Sequence, residues 1–280
     1  MPQKNIILIS LKESLTKIWQ NKFLFVSLFI SQILFFIIFT VITYHYQTKI
    51  IESSKSIFDY LNKQNLDEAS ASSNILQQKN IWGDEPLMIS RNFKEMVKNF
   101  RLYLMYLFIS IVAFGTINWM ITLRLIFKKK VSSLKKIFFK LFFILSFYLG
   151  LSFIFFYSIF NISLTETAIE SASLFTKYIP FLIFSIILVY FMFVSLSLLH
   201  NTGLNNIVQK TLSIGIKKWH YILAACLINL SLFIISIISL LYFIEKNLFF
   251  LSTSILVLIS SFVFGRIFIF NVIQKISFEK

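Results

Sequence analysis

The sequence predicts an all-α membrane protein: six transmembrane helices arranged as three hairpins, with cytoplasmic amphipathic elbow helices and both termini inside. Two observations carry this reading. Six apolar runs, at 23–44, 102–123, 141–160, 179–199, 221–243 and 248–264, divide the 280 residues, and about 20 apolar residues suffice to cross a hydrocarbon core of ~30 Å. The charges then sort by side. The N-terminus, 124–140, 201–219 and the C-terminal tail hold 17 Lys/Arg against 2 acids, whereas the other three connections hold 10 of each. The entire net charge of +15 falls on one side, which the Lys/Arg bias of cytoplasmic loops makes the inside.

Composition excludes the soluble classes. Hydrophobic residues make up 57% and Phe alone supplies 35 positions, with a mean hydropathy of +0.79; soluble domains hold roughly 45–50% apolar residues. Each run is apolar around its circumference rather than along one stripe, so water cannot be its solvent. The basic excess does not point to nucleic acid. Its lysines cluster at span ends, where the partner is the anionic headgroup layer on the cytoplasmic side of the cell membrane. Cys226 is the single cysteine, so no disulfide closes within the chain, and no Cys/His spacing suits zinc.

Residues 1–22 read as an interfacial amphipathic segment, and 23–280 as the six-span domain. Leu8, Leu11, Leu15 and Ile18 recur at helical spacing, with Lys12, Glu13, Thr16 and Lys17 between them and Trp19 at the end; such a helix lies in the headgroup plane. The run 5–9 is too short for a signal-peptide core, so the first span reads as a retained anchor. Ser14–Trp19 and Ser133–Phe138 share a layout, and Thr211–Trp219 echoes it. Each precedes an odd-numbered span, which suggests three elbow-plus-hairpin units.

The connection 46–101 reads as an external helical loop. Gln47–Asn65 carries an apolar stripe, Asp67–Ser73 reads as a loop, and Trp82–Pro86 is a turn signal. A second helix from Met88 to Arg101 leads into the second span. Asn161–Ser163 matches a glycosylation sequon on the external side, and 245–247 is a tight turn between the last two spans.

Catalytic chemistry finds no motif. All 12 acids lie outside the six runs, although intramembrane carboxylates are the usual sign of proton-coupled or proteolytic function. No metal, phosphate-loop or nucleophile pattern occurs, so neither a cofactor nor an enzyme is expected. The polar side chains at depth are Gln32, Asn118 and Asn229, for which hydrogen bonding between helices is the ordinary role and solute lining the sharper one. Ser27/Ser31, Ser146/Gly150 and Ser261/Gly265 are small pairs suited to close helix approach. Arg124 and Arg266 end even-numbered spans, where snorkelling to phosphate is expected; a cationic vestibule for an anion is the alternative. Arg124, Lys128, Lys129, Lys130, Lys135, Lys136 and Lys140 form the densest basic cluster, a site for anionic lipid or a protein partner.

Two resemblances add class. Gly215-Ile-Lys-Lys-Trp219 resembles the coupling loop of importer-type ABC permeases, which implies docking on a separate ATPase. Asn206-Ile207-Val208 stands where that loop has an acid and two alanines, and no closing Leu-Pro follows. Ile18-Trp19-Gln20-Asn21-Lys22-Phe23-Leu24 resembles the opening of archaeal-type prokaryotic six-span proteins, a family with no agreed activity. The leading expectation is a non-enzymatic accessory or scaffold subunit of a membrane complex, and the alternative is a permease subunit. Convergence of Gln32, Asn118 and Asn229 on one place would favour the permease.

Overall fold

The computed structural model describes residues 5–70, 86–127, 134–165, 171–199, 203–244 and 248–278. They form eight helices: α1 (Ile6–Gln20), α2 (Lys22–Ser70), α3 (Pro86–Ile126), α4 (Leu134–Thr165), α5 (Ser171–Leu198), α6 (Leu204–Lys217), α7 (Trp219–Phe243) and α8 (Leu248–Phe278). No strand occurs among the described residues. All but α1 and α6 are long and apolar enough to cross a membrane.

These six pair as antiparallel hairpins. Phe35 meets Phe114, Phe155 meets Phe184 and Phe233 meets Phe262. Their outward faces are apolar, with Phe143, Phe156, Ile186, Ile235 and Val257 exposed, as lipid-solvated helices require.

The helices run further than the apolar runs. The loop expected at 67–73 does not appear up to Ser70: α2 is unbroken for 49 residues. No Gly or Pro interrupts Lys22–Ser70, so nothing in the chain stops propagation. Pro180 lies inside α5. Residues 82–85 of the expected turn, the side chains of Asn161–Ser163 and the 245–247 turn lie outside the described residues or side chains.

α1 and α6 are built alike. Asn21 (φ −125°, ψ 50°) ends the one and Lys218 (φ −118°, ψ 24°) the other. Counting back eleven and seven residues from each kink gives buried Ser10 and Ser14 in α1, and buried Ile207 and Thr211 in α6. Leu15 and Leu212, each six residues before the kink, are exposed. Asn21 secures its kink by donating to the Lys17 carbonyl at 3.0 Å and the Leu125 carbonyl at 3.3 Å, while the Lys22 ammonium lies 4.1 Å over the Trp19 ring. Of the remaining expected elbow, Ser133 lies outside the described residues, and Leu134–Phe138 form the start of α4.

The chain divides into two compact units. The first comprises Met1–Phe35 and Ile111–Lys280. Its core has two parts that share α5 and α8. Leu28, Trp119, Leu123, Leu141, Leu196, Ile267 and Phe270 fill one, and Ile6, Val194, Leu198, Ile222, Phe268 and Ile273 the other. From Ile267 to Gln274 every residue of α8 is buried. Of the small pairs, Ser261/Gly265 lies at a helix contact, with Ser261 Oγ 2.9 Å from Ser236 Oγ. Gly150 has nothing within 4 Å of where a Cβ would stand.

The second unit is Phe36–Ser110. Thr43 Oγ1 is 3.4 Å from Tyr103 Oη, and Tyr46 stacks on Tyr106 at 5.7 Å. Tyrosines at this level of two paired helices are characteristic of a membrane–water boundary. Further along α3, Phe93, Lys94, Val97, Lys98, Arg101 and Leu102 line an open cavity of about 440 Å³.

Candidate functional site

Gln32, Asn118 and Arg266 meet at one oxygen. Gln32 lies on α2, one turn beyond buried Leu28; Asn118 lies on α3 beside buried Trp119. Asn118 Nδ2 donates to Gln32 Oε1 at 3.3 Å, and Arg266 Nη2 donates to the same atom at 3.0 Å. Gln32 is 4% exposed and Asn118 2%, while Arg266 is half-buried as a residue. The floor beneath it is Leu28, Trp119, Leu123 and Phe270 of the core.

Hydrogen-bonding capacity is left over. Asn118 Oδ1 and Arg266 Nη1 are both buried without a partner. An unpaired buried polar group costs about 1–3 kcal/mol, and more when charged. Among the described residues Arg91–Glu95 and Lys275–Glu13 form ion pairs, and no carboxylate pairs with Arg266.

Arg266 corrects the snorkelling expectation. Its side chain turns inward to Gln32 instead of reaching along the helix to a headgroup. The reason lies in the chain that follows: α8 does not end near 264 but continues to Phe278 through Ile267–Ile273, which is apolar except for Asn271. An apolar stretch on both sides of one arginine was the available signal, and reading Arg266 as a terminator hid it.

Asn229 does not join the cluster. It sits on α7, and its Nδ2 donates to the Gly265 carbonyl at 3.1 Å, leaving Oδ1 buried and unpaired. Two of the three intramembrane amides therefore converge, and the third bonds the residue preceding Arg266.

Below Arg266, α8 fastens to other helices through polar side chains. Asn271 accepts from Lys17 Nζ at 2.8 Å and donates to Ser14 Oγ at 2.7 Å. Gln274 Nε2 donates to the Ser197 carbonyl, and Lys275 pairs with Glu13 at 2.7 Å. Lys17 has its pKa lowered, first by burial, with Glu13 opposing and Lys275 adding to the effect. Sequence reading missed this group, because Asn271 and Gln274 fall beyond the sixth apolar run.

The other candidate residues stay apart. Arg124, Lys135 and Lys136 are exposed and Lys140 is half-buried; Lys128, Lys129 and Lys130 lie outside the described residues. Gly215 is buried against α5, its carbonyl accepting from Tyr190 Oη at 2.7 Å, while Trp219 is 55% exposed. A Cβ on Gly215 would come within 2.8 Å of Phe191 Cε1, so close packing of α6 on α5 gives this glycine an internal role. Among the described residues no group of His, Cys, Asp and Glu stands ready to hold a metal.

No protein-family model, curated protein or solved structure matches this chain.

Proposed function

We propose that this chain is the membrane-embedded part of a permease, lying in the cell membrane with both ends cytoplasmic, whose solute passes the layer of Gln32, Asn118 and Arg266. It is not itself an enzyme, and a separate ATPase supplies energy. The observation that supports this reading is the single Gln32 oxygen shared by Asn118 and Arg266, with Asn118 Oδ1 and Arg266 Nη1 left unpaired. An unpaired amide oxygen alone does not distinguish the two roles, since Asn229 Oδ1 is also unpaired where Asn229 bonds Gly265. A charged group between spans, facing protein and lacking a counter-charge, is instead the usual mark of a solute or ion path. The apolar floor beneath the layer is then a closed gate.

The scaffold reading keeps one observation of its own. Along α7 and α8, Ser236 pairs with Ser261 at 2.9 Å and Ser239 with Ser254 at 3.1 Å, and these are completed interhelical bonds of the purely structural kind.

Flux separates the two. The protein, extracted in mild detergent with whatever accompanies it, is reconstituted with ATP into liposomes and offered neutral, cationic and anionic solutes. A permease moves at least one of them faster than protein-free liposomes do, and Gln32→Ala or Asn118→Ala slows it. Absence of flux for every class, with stoichiometric recovery of another membrane protein, decides for the scaffold.

A further inference from the structure

We infer that Arg266 is an oxyanion-binding residue, and that the group it takes is a carboxylate or phosphate carried by the ligand. The inference deepens the permease reading by naming its substrate class, and rests on it for physiological sense. Arginine keeps its charge at any physiological pH. Here Nη2 is fixed on Gln32 Oε1 at 3.0 Å, while Nη1 is buried with no acceptor. The two bonds differ in purpose. A neutral amide oxygen orients the guanidinium plane without neutralising it, and that oxygen is held by Asn118 at 3.3 Å.

A guanidinium among spans is stable only when paired. The groups that meet it are neutral: Gln32 from α2, and Asn118 from α3 on the same Gln32 oxygen. No carboxylate among the described residues pairs with Arg266, so the negative charge is assigned to the ligand. Carboxylate and phosphate match the planar donors of arginine best, and they form charge-assisted bonds about twice as strong as neutral ones. Asn118 Oδ1, on the amide that shares Gln32 with Arg266, is an acceptor with no donor. It favours an oxyanion that also carries a hydroxyl or N–H group, such as hydrogen phosphate or a hydroxylated or aminated carboxylate. A phospholipid headgroup offers the same chemistry as a free solute.

The test is equilibrium binding in nanodiscs. Purified protein in phosphatidylcholine discs is titrated with labelled inorganic phosphate and with labelled lactate. A parallel sample, extracted from native membranes, is assayed by mass spectrometry for retained anionic lipid. Binding of either solute at one per chain identifies a free oxyanion, and retention of one anionic phospholipid identifies the headgroup. Arg266→Gln should weaken whichever is found by roughly 10- to 100-fold, the loss of one charge-assisted bond of about 1.5–3 kcal/mol. Asn118→Asp guards against misfolding. It supplies an internal carboxylate, so it should abolish anion binding in a protein that still folds and whose guanidinium is satisfied. Failure of all three ligands to bind, or equal binding by wild type, Arg266→Gln and Asn118→Asp, overturns the inference. The permease reading fails separately: anion binding with no flux of any solute leaves the site and removes the permease, whereas flux of neutral solutes without anion binding does the reverse.

Discussion

Asn229 Nδ2 donates to the Gly265 carbonyl at 3.1 Å, and a Cβ on Gly265 would stand 3.2 Å from the Asn229 Cγ. The glycine thus lets α7 close on α8 beside Arg266. Gly265→Val should lower the detergent melting temperature through overpacking of about 1–3 kcal/mol. Asn229→Ala, which removes one interhelical bond, should cost less, about 0.6 kcal/mol by membrane averages. Thermal unfolding of the two variants gives the order, and an equal effect would deny Gly265 its packing role.

Arg266→Met should leave stability unchanged or raised. It removes a buried charge with an empty donor while Asn118 still satisfies Gln32 Oε1, and apolar replacement of buried ionic groups is often neutral or stabilising. A loss of several kcal/mol on chemical denaturation would make Arg266 a structural residue.

Gly215→Ala forces Phe191 to move, since 2.8 Å is closer than carbon atoms approach. The expected cost is about 1–3 kcal/mol, largely restored in the double variant with Phe191→Leu. Trp219→Ala, at an exposed position, should leave stability unaltered. Loss of a co-purifying ATPase in Trp219→Ala at full stability would then report docking, which a Gly215 variant cannot do alone.

The Lys17 ammonium has its pKa lowered from 10.5, mainly by burial. Between that lowered value and 10.5 the unfolded chain holds more protons than the folded one, so this contribution to stability rises with pH through that window. Below it the penalty of the charged form is constant. Unfolding midpoints of wild type and Lys17→Met, followed from about pH 8 to 10.5, should show wild type gaining on the variant. A constant gap would mean that Lys17 is no more buried in the folded chain than in the unfolded one.

Orientation is checked by thiol labelling on a Cys226→Ala background. Cysteine at Ser70 should react with an impermeant reagent from outside, and cysteine at exposed Ser213 only after permeabilisation. The opposite pattern would invert the bundle.

How much of this was legible depended on which physics each residue obeys. The spans were readable because lipid demands apolar side chains over a fixed length, whatever the neighbours are. α1 was readable from its periodicity, yet the face it buries was not. Of its apolar stripe, Leu8 and Leu15 are exposed while Leu11 and Ile18 pack on the core, and the fully buried side of the helix carries Ser10 and Ser14. Hydrophobicity marks what lipid touches, and close packing between membrane helices selects small residues instead. Gln32 and Asn118 were found by the same logic, as polar groups out of place. Their third member was missed because Arg266 looked like the edge of a run, and only the contact between α8 and α2 shows otherwise.

The buried stretch Ile267–Gln274 bears on the order of assembly. The core of the first unit is organised around α8, the last of the eight described helices in chain order. Lys17, on the first helix, waits for Asn271, which is 254 residues later in the chain. Five earlier spans reach the bilayer before the helix that joins them is made. Hairpins stabilised by local contacts can form as they emerge, but the long-range contacts through α8 close only after synthesis has passed them, and closing so long a loop is slow. A chain interrupted before Ile267 would keep its spans and lose their common centre. The cell's membrane proteases would meet it as three unjoined hairpins.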